Sequence, residues 1–211
     1  FSANVLTMYF FYELLTLSTL PLVMHALDSK ARYAGRIYLT YSMCGAALGF
    51  IAMVLLLEHG GMFFQFGGSI SAEAGKENTL RAAYVLGFFG FGVKAAVFPG
   101  HRWLLRASVA PTPVTALLHA VAVVKAGVFA VTRLTWYGYG PDLIRGSWAQ
   151  YLVMGAAMFT IAYGSAKALR TQHLKRRLAW STISNLSYVL LGVTTLTTAC
   201  LLYTSPSPRD M

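Results

Sequence analysis

Two lysines stand inside segments that are otherwise apolar enough to lie in lipid: Lys94, within FGFGVKAAVFPG, and Lys125, within VTALLHAVAVVKAGVFAV. A charged side chain near the centre of a bilayer costs roughly 2.5–3.5 kcal/mol even on the lenient insertion scale. Each lysine therefore needs an acidic partner or a hydrated path, and the chemistry expected of a lysine denied water is reversible protonation. Glu13 is the matching carboxylate. It stands in an apolar run with no other ionisable group but tyrosine between Phe1 and Met24. At helical spacing Tyr9, Glu13 and Thr16 share one face, a narrow polar stripe directed into a bundle. His119, six residues before Lys125, adds an imidazole able to accept and donate protons near neutral pH.

Each of these residues also has a plainer reading. Glu13 can be a hydrogen-bonded glutamate that only joins helices. Lys94 lies five residues before Pro99, about 7–8 Å from a proline break at 1.5 Å per residue, near enough to extend toward the interface. Against that, Gly87, Gly90 and Gly92 permit close backbone approach, and a broken helix at membrane depth lines protein or water. Lys125 falls in mid-run, where reaching the interface is strained; its plain reading is a structural ion pair. His119 can serve packing alone. Ser181, Ser184, Asn185 and Tyr188 fall on one face of the last apolar run, suited first to helix–helix hydrogen bonding. The relay reading requires Lys94 and Lys125 to face a shared wet interior near Glu13.

The elements that position these groups follow from composition. The chain has 211 residues, 56% hydrophobic and 11% charged, with mean hydropathy +0.57, which indicates an integral membrane protein. Six apolar segments approach the roughly 20 residues needed to span a bilayer: 3–27, 37–57, 82–98, 114–134, 148–168 and 178–202. Long runs without two-residue alternation mean helices. The expected fold is all-α, with six transmembrane helices and one helix broken near Pro99.

The net charge of +10 reflects topology, not nucleic-acid binding, because the cations sit in short connectors with no basic-aromatic face. Connectors one, three and five carry Lys30, Arg32, Arg36, Arg102, Arg106, Lys167, Arg170, Lys175, Arg176 and Arg177; connectors two and four carry Lys76, Arg81, Arg133 and Arg145. The richer set is expected on the cytoplasmic side. The second connector, Glu58 to Leu80, is expected to be an ordinary solvated loop. Cys44 and Cys200 lack metal or CxxC spacing and are expected to be small buried hydrophobes. No motif for a metal, dinucleotide, flavin, iron–sulfur cluster or haem occurs, so no cofactor and no redox chemistry is expected in the chain itself. The apolar start without a charged n-region is not a signal peptide. The change of composition to YTSPSPRDM over 203–211 marks a non-native or disordered tail. Residues 1–202 are expected to be an internal piece of a longer membrane domain.

Four stretches in order then resemble one family, the antiporter-like proton-translocating membrane subunits of NADH:quinone oxidoreductase and of Mrp-type antiporters. They are FYELLTLSTLPLV around Glu13, GVKAAVFPGHRWL around Lys94, APTPVTALLHAVAVVKAG around Lys125, and LKRRLAWSTISNLSYVLLG. The chain departs from the family pattern at Leu105, where proline is common, at Ser108, where histidine is common, and at Asn185, a histidine in some branches. The resemblance implies a larger bundle of about fourteen helices with inverted repeats, of which this chain covers helices five to ten. It makes Glu13 and Lys94 a coupled pair and Lys125 the central relay, with His119 on the route. It implies proton translocation within a redox-driven NADH:quinone oxidoreductase, with a Mrp Na+/H+ antiporter or a membrane-bound hydrogenase as alternatives. A purely structural membrane subunit is the reading from another class. The implied partners are other membrane subunits, the lipid bilayer and protons or sodium, in a prokaryotic plasma membrane.

Overall fold

The computed structural model describes residues 3–25, 28–70, 76–108, 111–118 and 122–197. Helices run over Val5–Val23 (α1), Ser29–Glu58 (α2), Glu77–Gly92 (α3), Arg102–Ala107 (α4), Thr112–Ala116 (α5), Val123–Arg133 (α6), Pro141–Ile144 (α7), Trp148–Arg170 (α8) and Leu174–Thr194 (α9). A π-helical segment, Leu134–Tyr139, continues α6. No strand forms among the described residues beyond an isolated bridge between Asn4 and Phe63.

Local chemistry sets the helix starts. The Asn4 side chain accepts from the Thr7 amide at 3.0 Å, and Asp28 accepts from the Ser29 amide at 2.7 Å, so both long N-terminal helices open on a side-chain cap. α1 buries Val5, Met8, Tyr12, Thr16, Thr19 and Val23, one stripe at helical spacing, and leaves Phe10, Phe11 and Leu17 exposed. That outer surface is apolar, suited to lipid or to further helices rather than to water.

α3 is the central element and packs against α2, α6 and α8. Its approach to α2 depends on absent side chains: a Cβ on Gly90 would lie 2.5 Å from the Gly49 nitrogen and 2.8 Å from the Gly45 oxygen. Backbones meet that closely only where small residues face each other. α8 and α9 form an antiparallel hairpin, joined across their faces by Ser165 and Ser184 hydroxyls 2.8 Å apart.

The connectors sort to two ends of the bundle, as the alternation of spans requires. Arg106 lies over the Tyr33 ring at 5.7 Å, and Arg102 and Arg106 share a pocket with Lys167 and Arg176. Connectors one, three and five therefore gather at one end. At the other end residues 59–70 form a strap. Met62 accepts from Val5, Phe64 donates to Ala3, and Gln65, Gly67 and Ser69 donate to carbonyls of Tyr137, Trp136 and Gly138.

Among the described residues three helices, α1, α2 and α8, are long and apolar enough to cross a membrane by length and composition, which supports the all-α membrane fold without confirming six spans. α3 has 16 residues, and α9 has 21 but opens on Lys175, Arg176 and Arg177. Of the fourth apolar run, α5 covers Thr112–Ala116 and α6 begins at Val123, with residues 119–121 outside the described residues. The first part of the second connector is not a free loop, because its backbone bonds to α1 and to the π segment. Cys44 is exposed, while Cys200 lies outside the described residues, as do 203–211.

The crossing of α2 and α3 gives a direct test. Gly90→Val is expected to destabilise the complete chain by about 1–3 kcal/mol, the range for forcing volume into a packed contact. Thermal unfolding in detergent would measure it, with Gly155→Val, which meets nothing within 4 Å, as the neutral comparison.

Candidate functional site

The helix that carries Lys94 stops before it. α3 ends at Gly92, and residues 93–101 run as turns up to α4. Lys94 thus sits within the break, not five residues upstream of it. Alternate residues of the break enter two separate apolar clusters: Ala95 and Val97 join the one built on α3, α6 and the start of α1, and Ala96 joins the one around Trp103 and Leu118. Ala96 takes the left-handed conformation, φ 59°, which a non-glycine residue adopts only where its surroundings compel it.

Unwinding a helix at this depth frees backbone groups that need partners. Neighbouring elements supply them. The Trp103 indole donates to the Val93 carbonyl at 2.7 Å, and the Tyr12 hydroxyl donates to the Phe91 carbonyl at 3.2 Å. The Phe98 amide donates to the Thr160 hydroxyl at 3.1 Å. Within the turn, Ala96 donates to Val93 and Val97 to Gly92.

Lys94 is 1% exposed. Its ammonium donates to the Tyr12 carbonyl and lies over the Tyr12 ring, 3.3 Å from the centroid. Both contacts compensate a cation removed from water. Glu13 follows Tyr12 directly, so its carboxylate is borne by the same turn of α1 whose carbonyl holds the ammonium. No ion-pair contact within 4.0 Å joins them; the ion pair seen among the described residues is Arg81–Glu77, at 3.0 Å. One carboxylate oxygen of Glu13, Oε1, is buried with no hydrogen-bond partner. A buried acceptor in that condition is costly, and its surroundings are the natural place for water or a moving proton. The α6 backbone closes the other side of the break: a Cβ on Gly127 would lie 2.5 Å from the Ala95 nitrogen and 3.0 Å from the Lys94 Cβ.

Lys125 is placed differently. It is the third residue of α6, and its side chain is exposed. The face that α6 buries carries Val123, Val124, Gly127, Val128 and Val131, which leaves Lys125 and the half-exposed Phe129 on the outside. Within the described residues the two lysines do not share an interior. His119 lies outside the described residues. Ser184 makes the interhelical bond expected of its face, whereas Ser181, Asn185 and Tyr188 line an open groove with Arg177.

Two contributors were not evident from residue types. Tyr12 holds Lys94 through a carbonyl and a ring face, neither of which a sequence pattern marks. His101 is 5% exposed and stacks on Phe98 at 5.6 Å, with Trp180 at 5.3 Å. Its Nδ1 is buried without a partner. In sequence it stands beside Arg102 and reads as part of a solvated connector. Among the described residues no group of three or more His, Cys, Asp or Glu side chains gathers to hold a metal.

The site is thus a buried lysine in a helix break, pressed against a glutamate-bearing helix. The family described as "NADH:quinone oxidoreductase/Mrp antiporter, TM" matches residues 2–203. The chain belongs to that family. It is 34% identical over 188 residues to hydrogenase-4 component B of Escherichia coli K12, covering 86% of this chain and 27% of that protein. It is 34% identical over 197 residues to the Staphylococcus aureus protein named "Putative antiporter subunit mnhA2", covering 91% and 24%. The chain therefore spans about a quarter of the length of these relatives. Its fold matches the Mrp complex from Dietzia sp. DQ12-45-1b with TM-score 0.80 at 25% identity, over 96% of this chain and 22% of the matched one. It also matches an archaeal membrane-bound sulfane sulfur reductase with TM-score 0.76 at 22% identity, over 92% and 39%. This is an antiporter-like membrane subunit sequence.

The indole contact is testable apart from any transport. Trp103→Phe keeps an aromatic ring and removes one of the two donors to the Val93 carbonyl, the Ala96 amide remaining. A loss of about 0.5–1.5 kcal/mol is expected for one hydrogen bond, read as a lower thermal midpoint of the complete chain.

Proposed function

We propose that this segment carries part of the proton path of an ion-translocating, multi-subunit membrane complex. The observation that carries the reading is the position of Lys94: a fully buried ammonium in a helix break, held on the turn of α1 that bears Glu13. Lys94 accepts a proton from the end of the bundle that gathers the richer set of cations, taken as cytoplasmic by the charge bias. Glu13 and Lys94 act as a coupled pair, in which a change in the charge of one alters the proton affinity of the other. Onward transfer through water and His119 to Lys125 rests on the family resemblance; Lys125 is exposed in this segment, so the shared wet interior that the relay requires has to be completed by a part of the subunit beyond it. The outward placement of Lys125 suits a handover to a part of the subunit beyond this segment, and the short coverage of the relatives supports the existence of such a part.

The complex is proposed from the relatives. The 34% identity to hydrogenase-4 component B and to an antiporter subunit supports a hydrogenase-type or Mrp-type assembly. The NADH:quinone oxidoreductase reading rests on the family description alone. Any redox chemistry belongs to other subunits, and the prokaryotic plasma membrane is the proposed location. Among transported ions, the lysine pair favours the proton over sodium, because a protonated amine repels a metal cation and offers it no lone pair.

Lys94→Ala and Lys125→Ala, each made in the complete complex, are expected to abolish proton translocation while the complex still assembles. Glu13→Gln is expected to slow it by uncoupling the pair. The measurement is proton flux into vesicles per turnover; undiminished flux in both lysine variants refutes the relay. Infrared difference spectra during turnover separate the relay from a structural pair, whose protonation state does not change.

A further inference from the structure

At the cation-rich end of the bundle, α4, α8 and α9 enclose a pocket of about 460 Å3 lined by His101, Arg102, Leu105, Arg106, Tyr163, Lys167, Thr171, Arg176 and Trp180. Arg102 and Arg106 come from α4, Lys167 from the last turns of α8, and Arg176 from the first turn of α9. No carboxylate lines it, and none of these four cations has an ion-pair partner among the described residues. The four cations are exposed, so water screens their mutual repulsion, but with no carboxylate among them they hold a positive potential over the pocket that draws an anion. The inner wall is built, not open: His101 is 5% exposed, packed against Tyr163 at 5.7 Å and Trp180 at 5.3 Å, and its Nδ1 is buried without a hydrogen-bond partner.

We propose that this pocket binds a phosphate group, and that the phosphate is that of an anionic lipid headgroup. Guanidinium groups match phosphate oxygens through paired N–H donors. The level of the pocket favours a lipid over a soluble anion. It lies where the long α8 ends and α9 begins, with tyrosine and tryptophan in its wall, the residues typical of the membrane–water boundary. Leu169, Leu174 and Leu178 at the same hairpin end are exposed, giving acyl chains an apolar surface beside the charges. Basic pockets between membrane helices on the cytoplasmic side take phospholipid headgroups by this combination. The occupant would tie α4, which follows the Lys94 break, to the α8–α9 hairpin.

The test uses the complete chain in detergent micelles, with lipid retention followed by native mass spectrometry. Phosphatidylglycerol is expected to bind one per chain and phosphatidylcholine to wash out. The double variant Arg106→Gln/Lys167→Gln is expected to lose phosphatidylglycerol by about tenfold or more, with its thermal midpoint in detergent checked against the parent chain. Arg32→Gln, an exposed cation of the same end outside the pocket, is expected to leave binding unchanged. Displacement of the lipid by millimolar inorganic phosphate would support the phosphate chemistry. Equal losses in Arg32→Gln and the double variant would mean general surface attraction and overturn the site. Phosphate bound without phosphatidylglycerol would overturn the lipid source, and no binding of either would overturn the proposal as a whole.

Discussion

An ammonium group that is 1% exposed sets the terms for everything packed around it. Lys94 is kept there by two contacts from one residue, the carbonyl and the ring of Tyr12. The lysine is reachable from α1 only because α3 has unwound at Gly92. The unwinding is tolerable only because Trp103, Tyr12 and Thr160 reach in to satisfy the freed backbone. The order of dependence runs from the cation to the break, and from the break to the three elements that supply its hydrogen bonds. In lipid that order is strict, since no solvent stands ready to replace a missing partner.

Close approach does the rest. α2 meets α3 at Gly45, Gly49 and Gly90, and α6 meets the break at Gly127. At both crossings a side chain would occupy space that backbone atoms already fill. The apolar residues that remain exposed, Phe10 on α1, Phe129 on α6 and Tyr151 on α8 among them, form an outer skin that water would penalise. The interior is thus specified by small residues and a few polar ones, and the exterior by bulk.

Much of this was legible in the residues. Apolar runs located the long helices, and Lys94, Glu13 and the order of four motifs identified the family. The alternation of cations sorted the connectors to two ends, as the Arg106–Tyr33 contact and the shared basic pocket show. What hydropathy could not reveal was interruption. Residues 93–101 are as apolar as the helix before them, so a window average passes over the break. Lys125, central when counted along the apolar run, is the third residue of α6 in the folded chain and is exposed. Tyr12 and His101 escaped because one acts through its backbone and ring, and the other is buried by distant aromatic residues. The strap was hidden because its bonds are almost all backbone to backbone, which no side-chain pattern encodes.

The strap has a mechanical implication. It fastens the first turn of α1 to the π segment that prolongs α6, so those two helices share a fixed hinge point at one extremity. Among the described residues no such backbone strap joins their other extremities, where Val23 and Val123 are buried in one side-chain cluster. A pair of rods clamped through backbone at one end and packed only through side chains at the other has its widest travel at the packed end. Any rearrangement of α1 against α6 would then be felt least at the strap and most toward the cation-rich mouth of the bundle.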